Sequence, residues 1–378
     1  MDEAVKGKVK IMQGNEACYE AAIAAGCRFF TGYPITPATE IAEGMARKLP
    51  QVGGVFMQME DEIASVVALM GASWGGWKAM TATSGPGFCL MQEGIGLLAI
   101  TETPSVIVNV QRGGPCSGQA TEPSQGDVFQ ARYGSNGDYA IIALAPSTSQ
   151  EMYDLTIRAF NLSEKYRVPT FILADEIVGH TREKVFIPDE LEIINRKKPT
   201  VPKEEFFTFK PDADGIPPMP AFNDGYKVCV LSQLHDEKGF RANPKVGAAL
   251  IQRLNDKIEK NVDDIVQVED RYMDDAEVAV ISYGAVARSA LRAVINAREA
   301  GLKVGWFKLK TLWPFPAKEV RAIAGRVKKI LVPEMNIGRM VLEVERVSAG
   351  KCEVHSLPKL GGRCHTPHEI YKAIKGGN

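Results

Sequence analysis

Eight residues, Gly32-Tyr33-Pro34-Ile35-Thr36-Pro37-Ala38-Thr39, constrain this chain more than any other stretch. They follow an apolar run at 27–31 that reads as a buried strand and precede 40–49, which reads as a helix. The two prolines fix φ on either side of Thr36, so the backbone is stiff where strand gives way to helix. Open α/β sheets place their ligands along that edge. A threonine held rigidly there can aim its hydroxyl at a small molecule. The alternative is a proline-stiffened helix start with no ligand.

The following segments repeat the arrangement. Residues 55–59 read as a second strand, followed by Glu60-Asp61-Glu62 and a very apolar helix at 63–71. A third strand at 78–84 ends in Ser84-Gly85-Pro86-Gly87, and a fourth at 105–111 ends in Arg112-Gly113-Gly114-Pro115. Thr36, Glu62, Ser84 and Arg112 are thereby delivered to one sheet edge, and such convergence marks a site more strongly than any single motif.

Gly-Tyr-Pro-Ile-Thr-Pro, Met-Glu-Asp-Glu-Ile-Ala, Thr-Ala-Thr-Ser-Gly-Pro-Gly and Val-Gln-Arg-Gly-Gly-Pro, in this order, resemble the α subunits of 2-oxoacid:ferredoxin oxidoreductases. The resemblance covers nearly the whole chain and is strongest to the 2-oxoglutarate enzymes. It implies thiamine diphosphate chemistry: oxidative decarboxylation of 2-oxoglutarate to succinyl-CoA, reversible, with electrons passed to ferredoxin. It also implies Tyr33, Pro34, Ile35, Thr36, Glu62, Ser84 and Gly85 as cofactor-binding residues and Glu62, Thr36 and Arg112 as catalytic ones. Glu62 would hydrogen-bond the aminopyrimidine and favour its imino tautomer, a role that needs an apolar setting to raise its pKa. Glu60 and Asp61 suit the simpler role of helix N-terminal acids. Thr36 would bond the 2-oxo oxygen or the adduct, and the planar fork of Arg112 would pair with the substrate carboxylate.

The diphosphate signature, Gly-Asp-Gly with an Asn roughly 25 to 30 residues on, holds magnesium in such enzymes. It is absent here; Gly126-Asp127-Val128 and Gly137-Asp138-Tyr139 come nearest. The chain therefore supplies the pyrimidine half of a shared thiamine diphosphate site. A β subunit is expected to bring the magnesium and phosphate half, with γ and ferredoxin-like δ subunits, ferredoxin and coenzyme A as further partners. Cys116-Ser117-Gly118-Gln119-Ala120-Thr121 departs from the Ser-Thr-Gly-Leu-Pro-Thr-like run of relatives, which leaves 2-oxoisovalerate as an alternative substrate. A nicotinamide-dependent dehydrogenase is excluded, because no Gly-x-Gly-x-x-Gly follows a first strand with an acid about 20 residues later. A non-catalytic scaffold subunit is the remaining rival.

Seven scattered cysteines without a Cys-x-x-Cys exclude an iron–sulfur centre in this chain, so clusters are expected on partner subunits. Cys352, His355, Cys364, His365 and His368 have zinc-ligand chemistry, but Cys352 and His355 would face opposite sides of a strand. A net charge of −1 gives no basic surface for nucleic acid, and no apolar run reaches the roughly 20 residues of a membrane helix. With no signal-peptide core at its start, the chain is expected to be cytoplasmic.

The expected fold is α/β in three parts. Residues 1–180 form a pyrimidine-binding domain with a parallel sheet, begun by a strand at 8–12 and ended by one at 169–175, with an amphipathic helix at 149–166. Residues 181–276, with seven prolines between 188 and 220, form an extended crossover with a helix at 244–259. Within it, His235-Asp236-Glu237-Lys238-Gly239 reads as a solvated turn. Residues 277–378 resemble a transketolase C-terminal α/β domain, in which Leu312-Trp313-Pro314-Phe315-Pro316 reads as a rigid strand-to-helix connection.

Overall fold

The computed structural model describes residues 6–376. Fifteen strands are assigned: β1 (Gly7–Gln13), β2 (Cys27–Gly32), β3 (Val55–Gln58), β4 (Lys78–Thr83), β5 (Ser105–Gly113), β6 (Gln119–Pro123), β7 (Ile142–Leu144), β8 (Pro169–Asp175), β9 (Arg182–Pro188), β10 (Val268–Arg271), β11 (Val278–Ser282), β12 (Val304–Leu309), β13 (Thr311–Trp313), β14 (Lys329–Glu334) and β15 (Glu353–Pro358). The main sheet runs β13-β7-β8-β5-β4-β2-β3, with β6 paired to β5. Every pairing from β7 across to β3 is parallel. Strands β4, β5 and β8 are buried along their whole length, as expected of parallel strands covered by helices on both faces. The chain leaves β2 for β3 on one side and returns to β4 on the other. A topological switch point therefore lies between β2 and β4.

A second sheet, β10-β12-β11-β14-β15, carries the C-terminal domain. The two domains share one apolar core, in which Leu98, Ile107 and Phe171 pack in the same cluster as Ile281, Leu312 and Val332. Residues 311–313 are more than a connection. They form β13, which pairs antiparallel with β7 and completes the first domain's sheet, and the Trp313 indole N–H donates to the Val128 carbonyl (2.7 Å).

The strand expected to open the parallel sheet lies elsewhere. β1 pairs antiparallel with β9 in a separate ribbon. Lys8 and Lys10 alternate with Val9 and Ile11, a two-faced pattern that suits an antiparallel ribbon better than a strand buried on both faces. Residues 182–188, read as the start of irregular crossover, supply its partner.

The crossover lies across the end of the main sheet opposite the switch point. Lys78, at the start of β4, donates to Ala25 O and Ile194 O (3.0 and 2.7 Å). Arg196 forms a buried pair with Glu164. Trp74, fully buried, stacks on Phe222 at 5.8 Å and meets Phe209 edge-on at 6.1 Å. The helix Pro244–Glu259 is anchored where Lys257 and Arg253 meet Glu102, just before β5 (2.8 and 2.6 Å). His235 is not solvated. It is 1% exposed, stacks on Phe209 at 3.9 Å and reaches Ile100 O at 3.0 Å.

Candidate functional site

The four strand ends meet at the switch point. Residues 33–36 leave β2 on the surface: Tyr33, Pro34 and Thr36 are exposed and Ile35 half-buried. Arg112, on β5, is 9% exposed, and its guanidinium donates to the Thr36 carbonyl (2.7 Å). Two predicted residues 76 positions apart are thus in contact. The Arg112 Nε has no partner, and no carboxylate among the described residues pairs with the side chain. A cation so placed is ready for an incoming anion.

Glu62 opens the helix Glu62–Trp74. Asp61 is the cap and accepts from the Ala64 N–H (2.8 Å), leaving Glu62 to turn inward, 3% exposed. Its one side-chain partner is the Thr83 hydroxyl at 3.4 Å. Burial pushes the Glu62 carboxyl above its ordinary range, and this outweighs the hydrogen bonds and the nearby Arg112 charge. On the same helix Val66 and Leu69 are buried, while Ile63 and Val67 of the predicted apolar run are exposed.

Ser84 is fully buried with its hydroxyl unpartnered. The turn Gly85-Pro86-Gly87 does make room for a close approach, and what approaches is the acid. A Cβ on Gly87 would lie 2.1 Å from Glu62 Oε1 and 2.2 Å from Thr83 Oγ1. A glycine there is required by sterics, whatever its φ.

Sequence reasoning named Asp127 only within Gly126-Asp127-Val128, as a near match to the missing signature, and gave it no site role. Its carboxyl accepts from Asn109 Nδ2 (3.0 Å), its N–H donates to Gln111 Oε1 (3.1 Å), and it lies 3.6 Å from the Cβ position of Gly85. Burial pushes this carboxyl up too, against the pull of Asn109 and Arg112. The available signal was polar residues, Asn109 and Gln111, alternating within an otherwise apolar strand. At the C-terminus, His355 is exposed beside Glu353 (3.1 Å) while His365 is buried. Among the described residues no three His, Cys, Asp or Glu side chains gather as a metal site would need.

These residues fit the pyrimidine half of thiamine diphosphate. A buried carboxyl held toward its neutral form, an orphaned buried hydroxyl and a glycine cradle converge beside an arginine with no carboxylate partner among the described residues. Fold and site together define a two-domain α/β protein of the thiamine diphosphate-binding class. Residues 20–253 match the family model described as pyruvate flavodoxin/ferredoxin oxidoreductase, thiamine diphosphate-binding, and residues 276–370 match pyruvate:ferredoxin oxidoreductase core domain II. The chain belongs to the pyruvate flavodoxin/ferredoxin oxidoreductase family.

It is 57% identical over 365 residues to the 2-oxoglutarate synthase subunit KorA of Methanothermobacter thermautotrophicus, covering 96% of this chain and 97% of that one. The ketoisovalerate oxidoreductase subunit VorB of the same organism is 35% identical over 372 residues, covering 97% of each. Among solved structures, a 2-oxoglutarate:ferredoxin oxidoreductase from Magnetococcus marinus, with 2-oxoglutarate, coenzyme A and succinyl-CoA bound, superposes with a TM-score of 0.91 at 33% identity. The match covers 98% of this chain and 65% of that one. A split-gene transketolase is similar in fold alone, with a TM-score of 0.56 at 11% identity, covering 97% of this chain and 98% of that one.

Proposed function

We propose that this chain is the α subunit of a 2-oxoglutarate:ferredoxin oxidoreductase and supplies the pyrimidine-binding half of its active site. The observation that carries the reading is the convergence of a buried, neutral-leaning Glu62 with Arg112 and Thr36 at one switch point. Substrate choice rests on similarity: 57% identity to a 2-oxoglutarate synthase subunit against 35% to a ketoisovalerate subunit.

Each residue has a definite task. Glu62 holds a proton at its carboxyl oxygen, in an apolar setting, for a ring nitrogen of the cofactor. Thiamine diphosphate, when bound, supplies the carbanion that attacks a 2-oxoacid and the electron sink for its decarboxylation. Arg112, fixed through the Thr36 carbonyl and in no salt bridge among the described residues, binds the substrate's carboxylate. Thr36, exposed beside Arg112, would bond the 2-oxo oxygen. Ser84 and Gly85, with Tyr33, Pro34 and Ile35, form the cofactor's protein wall.

The site is half of one. Tyr33, Val55, Met57, Ile63, Val67 and Leu90 are each more than 40% exposed, on the edge strand β3 and around the helix that begins at Glu62. Such an apolar face beside a charged site fits a docking subunit, here a β subunit carrying magnesium and the diphosphate. Iron–sulfur clusters, γ and ferredoxin-like δ subunits, ferredoxin and coenzyme A complete the assembly. No helix among the described residues is long and apolar enough to cross a membrane.

The test is reduction of a low-potential acceptor by the assembled complex with coenzyme A and a panel of 2-oxoacids. Strong preference for 2-oxoglutarate, with no turnover by the lone chain, is expected. Preference for branched-chain acids would overturn the substrate, and turnover by the lone chain would overturn the half-site.

A further inference from the structure

Residues 123–127 join the two domains at the border of the site. Arg112 on β5 is in register with Pro123 on β6, and the chain continues through Ser124 and Gln125 to Asp127. Gln125 is 1% exposed, and every polar group it owns is engaged. Its backbone N–H donates to Met335 O (3.0 Å), and its carbonyl accepts from Asn336 Nδ2 (2.8 Å). Its Oε1 accepts from the Met335 N–H (3.1 Å), and its Nε2 donates to Tyr283 O (3.0 Å) and Asp175 Oδ2 (3.4 Å). All these partners except Asp175 belong to the C-terminal domain.

That domain is shaped to receive it. Gly284 has φ +57°, and a Cβ there would lie 2.5 Å from Gln125 Nε2 and 2.6 Å from Asp175 Oδ2. The neighbouring Glu334, fully buried, accepts from the Tyr283 hydroxyl (2.7 Å), Asn336 Nδ2 (3.0 Å) and the N–H groups of Met340 and Val341 (2.9 and 3.0 Å). Asn336 and Tyr283 are therefore fixed before Gln125 meets them. A buried amide with its full set of directional bonds has little freedom to shift.

We infer that Gln125 is a positioning residue. Through it the C-terminal domain holds the loop that carries Asp127 and, by the β5–β6 pairing, sets where Arg112 stands. Its own polar groups are all engaged by protein, so Gln125 acts through the loop. The inference rests on the reading of Arg112 as the carboxylate anchor.

The experiment compares Gln125→Ala with Tyr283→Phe in the assembled complex. Tyr283→Phe removes the hydroxyl bonded to Glu334 but keeps the carbonyl that Gln125 uses, so it weakens the same joint without releasing the loop. For Gln125→Ala the KM for 2-oxoglutarate rises about tenfold with kcat within about twofold, and amide exchange over 123–127 accelerates. For Tyr283→Phe the melting temperature falls and KM stays put. A Gln125→Ala variant that melts earlier with unchanged KM would overturn the inference, as would unchanged exchange. If Gln125→Ala fails to assemble, Gln125→Asn, which keeps the amide on a shorter stem, decides: an intermediate KM supports positioning and an unchanged one refutes it. Absence of turnover by the wild type with every 2-oxoacid would sink the proposed function instead, and the exchange rates would still judge the clamp.

Discussion

Glu62 has one side-chain hydrogen bond and almost no access to water. A carboxyl in that position stays protonated at higher pH than a free one, because ionising it would strand a charge in an apolar pocket. Replacing it by Gln preserves shape but removes the titratable proton. For Glu62→Gln we expect turnover by the complex to fall about 10²–10⁴-fold, the range of general acid–base catalysis, while assembly and melting temperature hold. Retained activity, read by acceptor reduction, would count against the role. Gly87→Ala makes the complementary case. Its methyl would collide with Glu62 Oε1 and Thr83 Oγ1, so activity should drop comparably although Glu62 itself is intact. Glu62 was legible because it sits one residue before an apolar helical run. The need for Gly87 was only half legible: its small size announces a close approach, but nothing local says that the visitor is an acid 25 positions earlier. No site role was read for Asp127, because its setting depends on Asn109 and Gln111, 18 and 16 positions earlier in the chain.

Long elements with one strong pattern were the readable ones. The helix Ser149–Tyr166 and the strand β8 fall where the apolar spacing puts them. β6, β7, β10 and β13, of three to five residues, escaped, whereas the equally short β3 was read because an acidic helix start follows it. The β1 ribbon was assigned to the wrong partner because alternation specifies a two-faced strand without naming its neighbour. The helix Pro244–Glu259 was placed correctly, but what secures it was not in view. Glu102, fully buried, takes three charged hydrogen bonds from Arg253 and Lys257. Burial pushes its carboxyl up, and the Lys257 and Arg253 charges more than reverse this, holding it at about 2. Glu102→Gln leaves Lys257 buried and uncompensated, for which a loss of about 3–5 kcal/mol is expected. A denaturant titration checks this, with exchange of the 244–259 amides as the local readout. A loss under 1 kcal/mol would contradict the anchoring role.

Across the molecule, two large sheets share one apolar cluster, with the β1–β9 ribbon apart, and one buried acid marks the contact of the two domains. Asp175 accepts from Val178 N (3.1 Å) and Ala285 N (2.8 Å), yet burial outweighs these bonds and raises it to about 6. An acid raised in the folded state keeps its proton until unfolding releases it. Its contribution is therefore present below the unfolded value near 4 and lost as pH climbs through about 6. Between pH 5 and 7 the wild type should lose about 1 kcal/mol more stability than Asp175→Asn, whose amide does not titrate. Parallel denaturation curves at the two pH values test this, and equal slopes would refute it. The strand β13 carries a different consequence, one of timing. The edge it covers on β7 is finished only when residues 311–313 exist, long after β7 itself has left the ribosome. At about 5–20 residues per second the nascent chain waits roughly ten to thirty seconds with an unpaired strand edge open to other chains. Synthesis therefore passes through a window in which that edge is open to mispairing.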